Sequence, residues 1–335
     1  MKRTFFAAVL LAAVLILGSC ESTAPESSGK DLFAMDTVIS LKAYGGNGEK
    51  AVNAAADRLN ELEGIFSVTR ADSDIARINS LGAAKVSHDT EKVITKALGV
   101  CESTRGALDI TLYPVMLAWG FTTGSEHVPT DSELSEALGK TDFRRVTING
   151  GTVSVPEGYK LDLGSCVKGY AGDELAAVMS ANGVTSAIIS LGGNVRALGA
   201  KPDGSDWKVG VADPFSPNEL LGKVCVRDKS VVTSGGYQRY FIDENGVRRI
   251  HIIDPSTGFP AESGLASVTV IGNDGLLCDA LSTALFVMGK DAAISYWREN
   301  DGFALLLVTD DGVIYATENA GFENTSPYGT ETIYE

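Results

Sequence analysis

The clearest chemistry-bearing residues sit in one apolar stretch near the end of the chain. Asp279-Ala280-Leu281-Ser282-Thr283 interrupts the run 276–288, which is otherwise apolar. In a helix, Asp279 and Thr283 are i and i+4 and share a face. A carboxylate and a hydroxyl one turn apart are hard oxygen donors. They suit Mg²⁺, which takes few carboxylates and completes its shell with phosphate oxygens and water. A local reading covers the same residues: Asp279 as a helix cap, Thr283 bonded back to the backbone.

A second cluster is Leu161-Asp162-Leu163-Gly164-Ser165-Cys166-Val167-Lys168-Gly169-Tyr170. A carboxylate precedes a Gly/Ser turn that opens a helix, and amides at a helix start can cradle phosphate. Lys168 adds a mobile cation. The spacing is not that of a phosphate-binding P-loop. Ser165 as a plain N-cap explains the turn equally well. Two Gly-containing stretches, Ser190-Leu191-Gly192-Gly193-Asn194 and Thr233-Ser234-Gly235-Gly236-Tyr237-Gln238-Arg239-Tyr240, allow close backbone approach to a ligand.

Of three histidines, His88 and His127 lie in polar segments and read as solvated. His251 stands where a strand runs into His251-Ile252-Ile253-Asp254-Pro255-Ser256-Thr257-Gly258. Strand-end loops present functional groups, though Asp254, Pro255 and Gly258 are also ordinary turn formers.

The elements that must position these groups are readable in outline. Helical spacing runs over 49–66, 90–103, 130–138 (with Thr130 three before Glu133 as a capping box), 167–182 and 276–288. Shorter helical pieces start at Ser73 and end near Trp119, and Ile294 sits in another. Strands are expected at 36–44, 186–191, 207–211, 223–226, 231–233, 240–243, 250–253 and 266–271. Hairpins turn at Asn149-Gly150 and at Asp310-Asp311-Gly312. Helices and antiparallel-looking strands mix without βαβ regularity, which indicates an α+β fold. No internal repeat and no clean linker after Lys30 are visible.

The chain has 335 residues and a formal net charge of -15. An acidic surface argues against nucleic acid as a partner. Lys2 and Arg3 precede an apolar run at 5–17, too short to span a bilayer but suited to a secretory signal. It ends at Leu17-Gly18-Ser19-Cys20, which resembles a bacterial lipobox. The expected organisation is a signal peptide at 1–19, a lipid-bearing Cys20 opening a flexible tether over 20–30, and one domain at 31–335. The expected location is extracytoplasmic, anchored by the lipid to the periplasmic face of the inner membrane. Cys101, Cys166, Cys225 and Cys278 are too scattered for a zinc site. Cys166 and Cys278 read as small buried residues.

Taken in order, these segments resemble the ApbE family, the FAD:protein FMN transferases or flavin-trafficking lipoproteins. The resemblance runs over about 35–316. It rests on Met35-Asp36-Thr37, Asp72-Ser73-Asp74-Ile75-Ala76-Arg77-Ile78-Asn79, Gly106-Ala107-Leu108-Asp109-Ile110-Thr111, the stretch 162–170, Gly192-Gly193-Asn194, 234–240, 251–258 and 279–283. It implies largely antiparallel strands in an ApbE-like, T-fold-related architecture. It implies Mg²⁺-dependent transfer of FMN from FAD to a Ser or Thr hydroxyl of an acceptor protein, with AMP released. Met35, Ala107, Leu108 and Asp109 are implied to line the FAD site, Asp162 and Lys168 to hold the dinucleotide, and Ile253 to pack on the flavin side. The carbonyl of Ser165 with Asp279, Ser282 and Thr283 is implied to hold Mg²⁺, and His251 to activate the acceptor hydroxyl. Implied acceptors are flavin-bearing subunits of sodium-pumping NADH:quinone reductases or Rnf-type complexes. The same site with water as acceptor gives an FAD pyrophosphatase. A non-catalytic flavin-binding lipoprotein needs no Asp279/Thr283 pair. The chain departs from the family pattern in three places: Gly164-Ser165-Cys166-Val167 before the lysine, Thr69 where an aromatic ring is usual, and Gln238 in an otherwise acidic position.

Overall fold

The segment Phe303–Thr309 is apolar at every position through Val308, and it forms a strand buried on both faces. Leu305 and Leu307 face one core while Ala304, Leu306 and Val308 face another, the period-two alternation of a strand. That strand belongs to a nine-stranded sheet, which organises the computed structural model of residues 26–335. In spatial order the strands are Ser27–Ala34, Thr37–Tyr44, Ala187–Leu191, Asn194–Leu198, Ser230–Gly235, Leu265–Gly272, Phe303–Thr309, Ile314–Thr317 and Thr330–Ile333. Neighbours are antiparallel except the last pair, which is parallel.

The helices are α1 (Gly48–Phe66), α2 (Asp74–Leu81), α3 (His88–Ser103), α4 (Tyr113–Ala118), α5 (Asp131–Leu138), α6 (Val167–Ala181), α7 (Gly275–Met288) and α8 (Lys290–Glu299). α1, α6 and α7 cover one face of the sheet and share its larger core. A three-stranded sheet of Phe322–Asn324, Leu220–Val226 and Trp207–Ala212 covers the other. A small third core joins α4 and α5 to Ile253 around Trp119 and Phe121. The α+β expectation with largely antiparallel strands is therefore met. Among the described residues no helix is long and apolar enough to cross a membrane.

The tether expectation over 20–30 needs correction at its C-terminal end. Ser27–Ala34 pairs along its full length with Thr37–Tyr44 as an edge strand. Polar Ser27, Ser28 and Lys30 are acceptable there because one side of an edge strand faces water. The domain thus begins before residue 31. The signal peptide and Cys20 lie outside the described residues. Cys101, Cys166 and Cys278 are buried and unpaired, and Cys225 is exposed.

α7 is apolar nearly all round because it is buried nearly all round. Its approach to α6 is set by glycine. A Cβ on Gly169 would fall 2.0 Å from the carbonyl oxygen of Gly275, and one on Gly275 would fall 2.4 Å from that of Gly169. Gly99 in α3 has nothing within 4 Å of such a Cβ. The two alanine substitutions should therefore differ in sign. Gly169→Ala should destabilise by about 1–3 kcal/mol through overpacking, and Gly99→Ala should stabilise by roughly 0.5–1 kcal/mol. Urea denaturation midpoints test both; equal shifts would contradict the close helix approach.

Candidate active site

The glycine contact places the backbone of α6 against a side chain of α7. The N–H of Gly169 donates to Asp279 Oδ2 at 2.8 Å, and Asp279 is only 3% exposed. Its other oxygen, Oδ1, lies 3.9 Å from Lys168 Nζ. Lys168 in turn donates to the carbonyl of Gly164 at 3.0 Å. Lys168 thus links the carboxylate at 279 to the carbonyl at 164, although 110 residues separate Gly169 from Asp279.

Next to Asp279 lies a group of hydroxyls. Ser282 Oγ donates to the Asp279 carbonyl at 2.8 Å and stands 2.8 Å from Ser234 Oγ. Thr283 Oγ1 is 3.2 Å from the same Ser234 oxygen. Thr283 is therefore oriented by a neighbouring strand rather than by its own helix backbone. Asp279 is not a cap either: Asp274 caps α7, accepting from the N–H of Leu277. Nor does Ser165 cap α6, whose N-cap position is Cys166 with no side-chain hydrogen bond.

Asp162 is held from behind. Asn79 clamps the preceding residue, donating to Leu161 O at 2.9 Å and accepting from Leu161 N at 2.6 Å. The N–H of Asp162 donates to Ile110 O at 2.9 Å. Its Oδ1 accepts from the N–H of Gly164 at 2.8 Å. Burial raises its carboxyl pKa, opposed by that N–H and by the charges of Lys168 and Arg239.

His251 is fixed by backbone. Its N–H and its ring Nδ1 both face the carbonyl of Arg239, at 3.2 and 3.0 Å. A carbonyl only accepts, so Nδ1 carries the proton and Nε2 keeps its lone pair. Burial lowers the imidazole pKa from 6.5 to about 4; the Nδ1 bond opposes this, and the Arg239 and Lys168 charges reinforce it. The ring is thus neutral through the physiological range, with Nε2 unprotonated and free to accept.

Met35 stands at the edge of the sheet, partly buried against the main core. Met35 and Asp36 form a two-residue turn with φ of 50° and 58°, the primed hairpin geometry that usually calls for Asn or Gly. The N–H of Met35 donates to Glu63 Oε1 at 2.9 Å. The turn rests on Gly192, where a Cβ would fall 2.1 Å from Thr37 Oγ1. Gly193 faces the Gln238 amide, which donates to Thr233 O at 3.0 Å, beside Ser234.

Other expected site residues are placed differently. Asp109 turns its carboxylate inward: Oδ1 accepts from Thr111 N and Oγ1 at 2.7 and 2.6 Å, and Oδ2 from Phe143 N at 3.1 Å. Leu108 and Ile253 are each 4% exposed, Leu108 in the main core and Ile253 beside Trp119. Ala107 is partly buried against the main core. The Asp72–Asp74 motif is scaffold: Ser73 caps α2, while Asp74 accepts from Ser87 N, from Thr90 Oγ1 and from Arg77. Burial raises the Cys166 thiol pKa well above its usual value and pushes Cys278 up to about 12, so neither is a thiolate nucleophile.

The donor set suits a hard cation. Among the described residues no group of three or more His, Cys, Asp or Glu is placed to hold a metal by itself. One buried carboxylate, neighbouring hydroxyls and a carbonyl turn are what Mg²⁺ takes when phosphate and water supply the rest.

A sequence model of the ApbE family matches residues 35–307. This chain belongs to the ApbE family. The FAD:protein FMN transferase of Vibrio cholerae is 33% identical over 316 residues, covering 91% of this chain and 94% of that protein. The one from Treponema pallidum is 33% identical over 335 residues, covering 92% of each. The crystal structure of the ApbE protein from Thermotoga maritima superposes with a TM-score of 0.82 at 34% identity, covering 88% of this chain and 97% of that one. The flavin transferase ApbE of Vibrio cholerae gives 0.79 at 29% identity, covering 88% and 98%.

Sequence reading of this ApbE chain passed over Ser234, Asn79 and Gly169 as individual groups. All three lie inside quoted motifs, but nothing in their types announces that one links two hydroxyls, one clamps a backbone and one donates to a carboxylate. The depressed imidazole has a measurable consequence. NMR titration of the three histidines, with His251 assigned by a His251→Gln variant, should show one midpoint well below 6.5, near about 4. The unfolded chain binds that proton first, so stability should fall as pH drops from 6.5 toward 4. A midpoint at 6.5 or higher would contradict the site electrostatics.

Proposed function

We propose that this chain transfers FMN from FAD to a Ser or Thr hydroxyl of an acceptor protein, releasing AMP. The observation that carries this is the Gly169 N–H of α6 on buried Asp279, with Lys168 between that carboxylate and the Gly164 carbonyl. The family membership and the transferase relatives support the same reading.

A divalent cation such as Mg²⁺, held by Asp279, Ser282, Thr283 and the Ser165 carbonyl, would neutralise pyrophosphate charge and activate the phosphorus toward attack. The remaining work falls to the protein. Lys168 and the Asp162–Gly164 turn position the dinucleotide. His251, with Nδ1–H bound to Arg239 O, takes the acceptor hydroxyl proton at Nε2. The acceptor oxygen bonds to the FMN-side phosphorus, and the bond from that phosphorus to the AMP phosphate breaks. AMP leaves with the electron pair. The flavin half is assigned to Met35 and the Gly192-Gly193 turn, which meet through Thr37.

The setting is part of the proposal. The lipobox-like segment suggests an extracytoplasmic chain tethered through Cys20, with acceptor subunits of NADH:quinone reductase or Rnf-type complexes nearby. Cys20 is seven residues before Ser27, which holds the domain within roughly 25 Å of its anchor.

Mass spectrometry of an acceptor incubated with FAD and Mg²⁺, with and without EDTA, tests the function directly. A covalent FMN adduct that EDTA prevents is expected; AMP without adduct would mean a pyrophosphatase, and neither product would mean pure binding. Asp279→Ala should lower transfer at least ~100-fold, and full activity would refute the metal assignment. His251→Gln should lower kcat by roughly 10²–10⁴ while FAD affinity stays near wild type. Equal loss of both would remove the base role.

A further inference from the structure

The turn that holds His251 carries a cation that the chemistry above leaves idle. Its backbone is fastened from within: Gln238 N donates to Gly235 O at 3.3 Å and the Gln238 amide to Thr233 O at 3.0 Å. The Arg239 carbonyl then receives both the backbone N–H and the ring Nδ1 of His251. The Arg239 side chain is exposed. Among the described residues its guanidinium makes no hydrogen bond and no ion pair.

Neighbouring cations are all engaged. Lys168 donates to Gly164 O at 3.0 Å. Arg248 donates to Gly236 O at 2.8 Å and lies 4.0 Å from the Tyr240 ring centroid. Arg249 pairs with Asp243 at 2.9 Å. The residue beside Arg239 is the neutral Gln238, so no adjacent carboxylate claims the guanidinium. The turn leaves the strand that carries Ser234, whose hydroxyl meets Ser282 and Thr283 beside Asp279, so Arg239 stands at the rim of the same site. In keeping with that place, its charge and that of Lys168 both act on Asp162 and His251.

We infer that Arg239 is a phosphate-binding residue of the dinucleotide site, its planar fork donating to pyrophosphate oxygens. The inference rests on the transfer reading above and adds a recognition element to it. The geometry suits the task. A guanidinium presents five N–H donors that match phosphate oxygens bidentately, which the ammonium of Lys168 cannot do. Held in solvent before substrate arrives, it has no protein partner to give up. Because its own carbonyl orients His251, phosphate binding at Arg239 also fixes the distance between the base and the reacting phosphorus.

The test compares ligands that differ in phosphate. Affinities of FAD, FMN and riboflavin are measured by flavin fluorescence for wild type, Arg239→Ala and Arg239→Lys. The alanine variant should bind FAD roughly 10–100-fold more weakly, as loss of charge-assisted hydrogen bonds predicts, with riboflavin affinity unchanged. The lysine variant should recover part of the loss. Unchanged FAD affinity in the alanine variant would overturn the proposal, and so would a parallel loss of riboflavin binding, which marks a structural role. Thermal melting accompanies each measurement; if alanine lowers Tm, Arg239→Gln repeats the comparison under the same criteria. Failure of wild type to bind FAD would instead sink the transfer reading itself.

Discussion

One hydrogen bond organises the site: the N–H of Gly169 on the carboxylate of Asp279. A carboxylate inside an apolar helix is costly unless something satisfies it. Here the partner is a backbone group of another helix. That is possible only because neither Gly169 nor Gly275 has a side chain at the crossing. The large apolar core that presses α6 and α7 onto the sheet therefore also sets the position of a charged oxygen. Packing and chemistry are the same constraint at this point, and loosening one displaces the other.

The second requirement is a base that stays neutral. A histidine among cations is driven toward its uncharged form, and its remaining proton must sit on the nitrogen away from the substrate. Arg239 O meets the second need by accepting from Nδ1, while burial and the charges of Arg239 and Lys168 meet the first. The same cations would draw in a pyrophosphate. In the proposed transfer, one electrostatic arrangement would serve both proton abstraction and phosphate recognition.

Much of this was legible in the sequence because the signals were periodic. The shared face of Asp279 and Thr283 follows from i,i+4 spacing, and the hairpin over Asp310-Asp311-Gly312 from its turn residues. The capping box at Thr130 and Glu133 forms as its pattern implies. Signals failed where the deciding interaction was not local. The first half of the strand Ser27–Ala34, residues 27–30, reads as polar tether because an edge strand needs few apolar residues. The Met35-Asp36 turn has no Gly or Asn to mark its positive φ; contacts to Glu63 and to the Gly192 turn stabilise it instead. The strand expected at 250–253 lies earlier, at Arg248–Ile250, and beyond it only an isolated bridge from Ile253 to Pro260 continues the pairing.

Carboxylates gave the least reliable signal, and acceptor capacity explains why. Asp74, Asp109, Asp162 and Asp279 all occur in conspicuous motifs, and all are at least partly buried. Asp74 and Asp109 each accept three hydrogen bonds from within the fold, so their oxygens are filled by the protein. They brace α3 and the Phe143 loop and have little capacity left for a ligand. Among the described residues Asp162 accepts one such bond, and Asp279 accepts one with a lysine at 3.9 Å. A carboxylate has about four lone-pair positions, so these two retain acceptors that the fold leaves open. Residue type and spacing cannot reveal that difference, because it depends on which distant N–H groups arrive. What separates the two carboxylates proposed to bind from the two that brace is the set of hydrogen bonds the fold does not make to them.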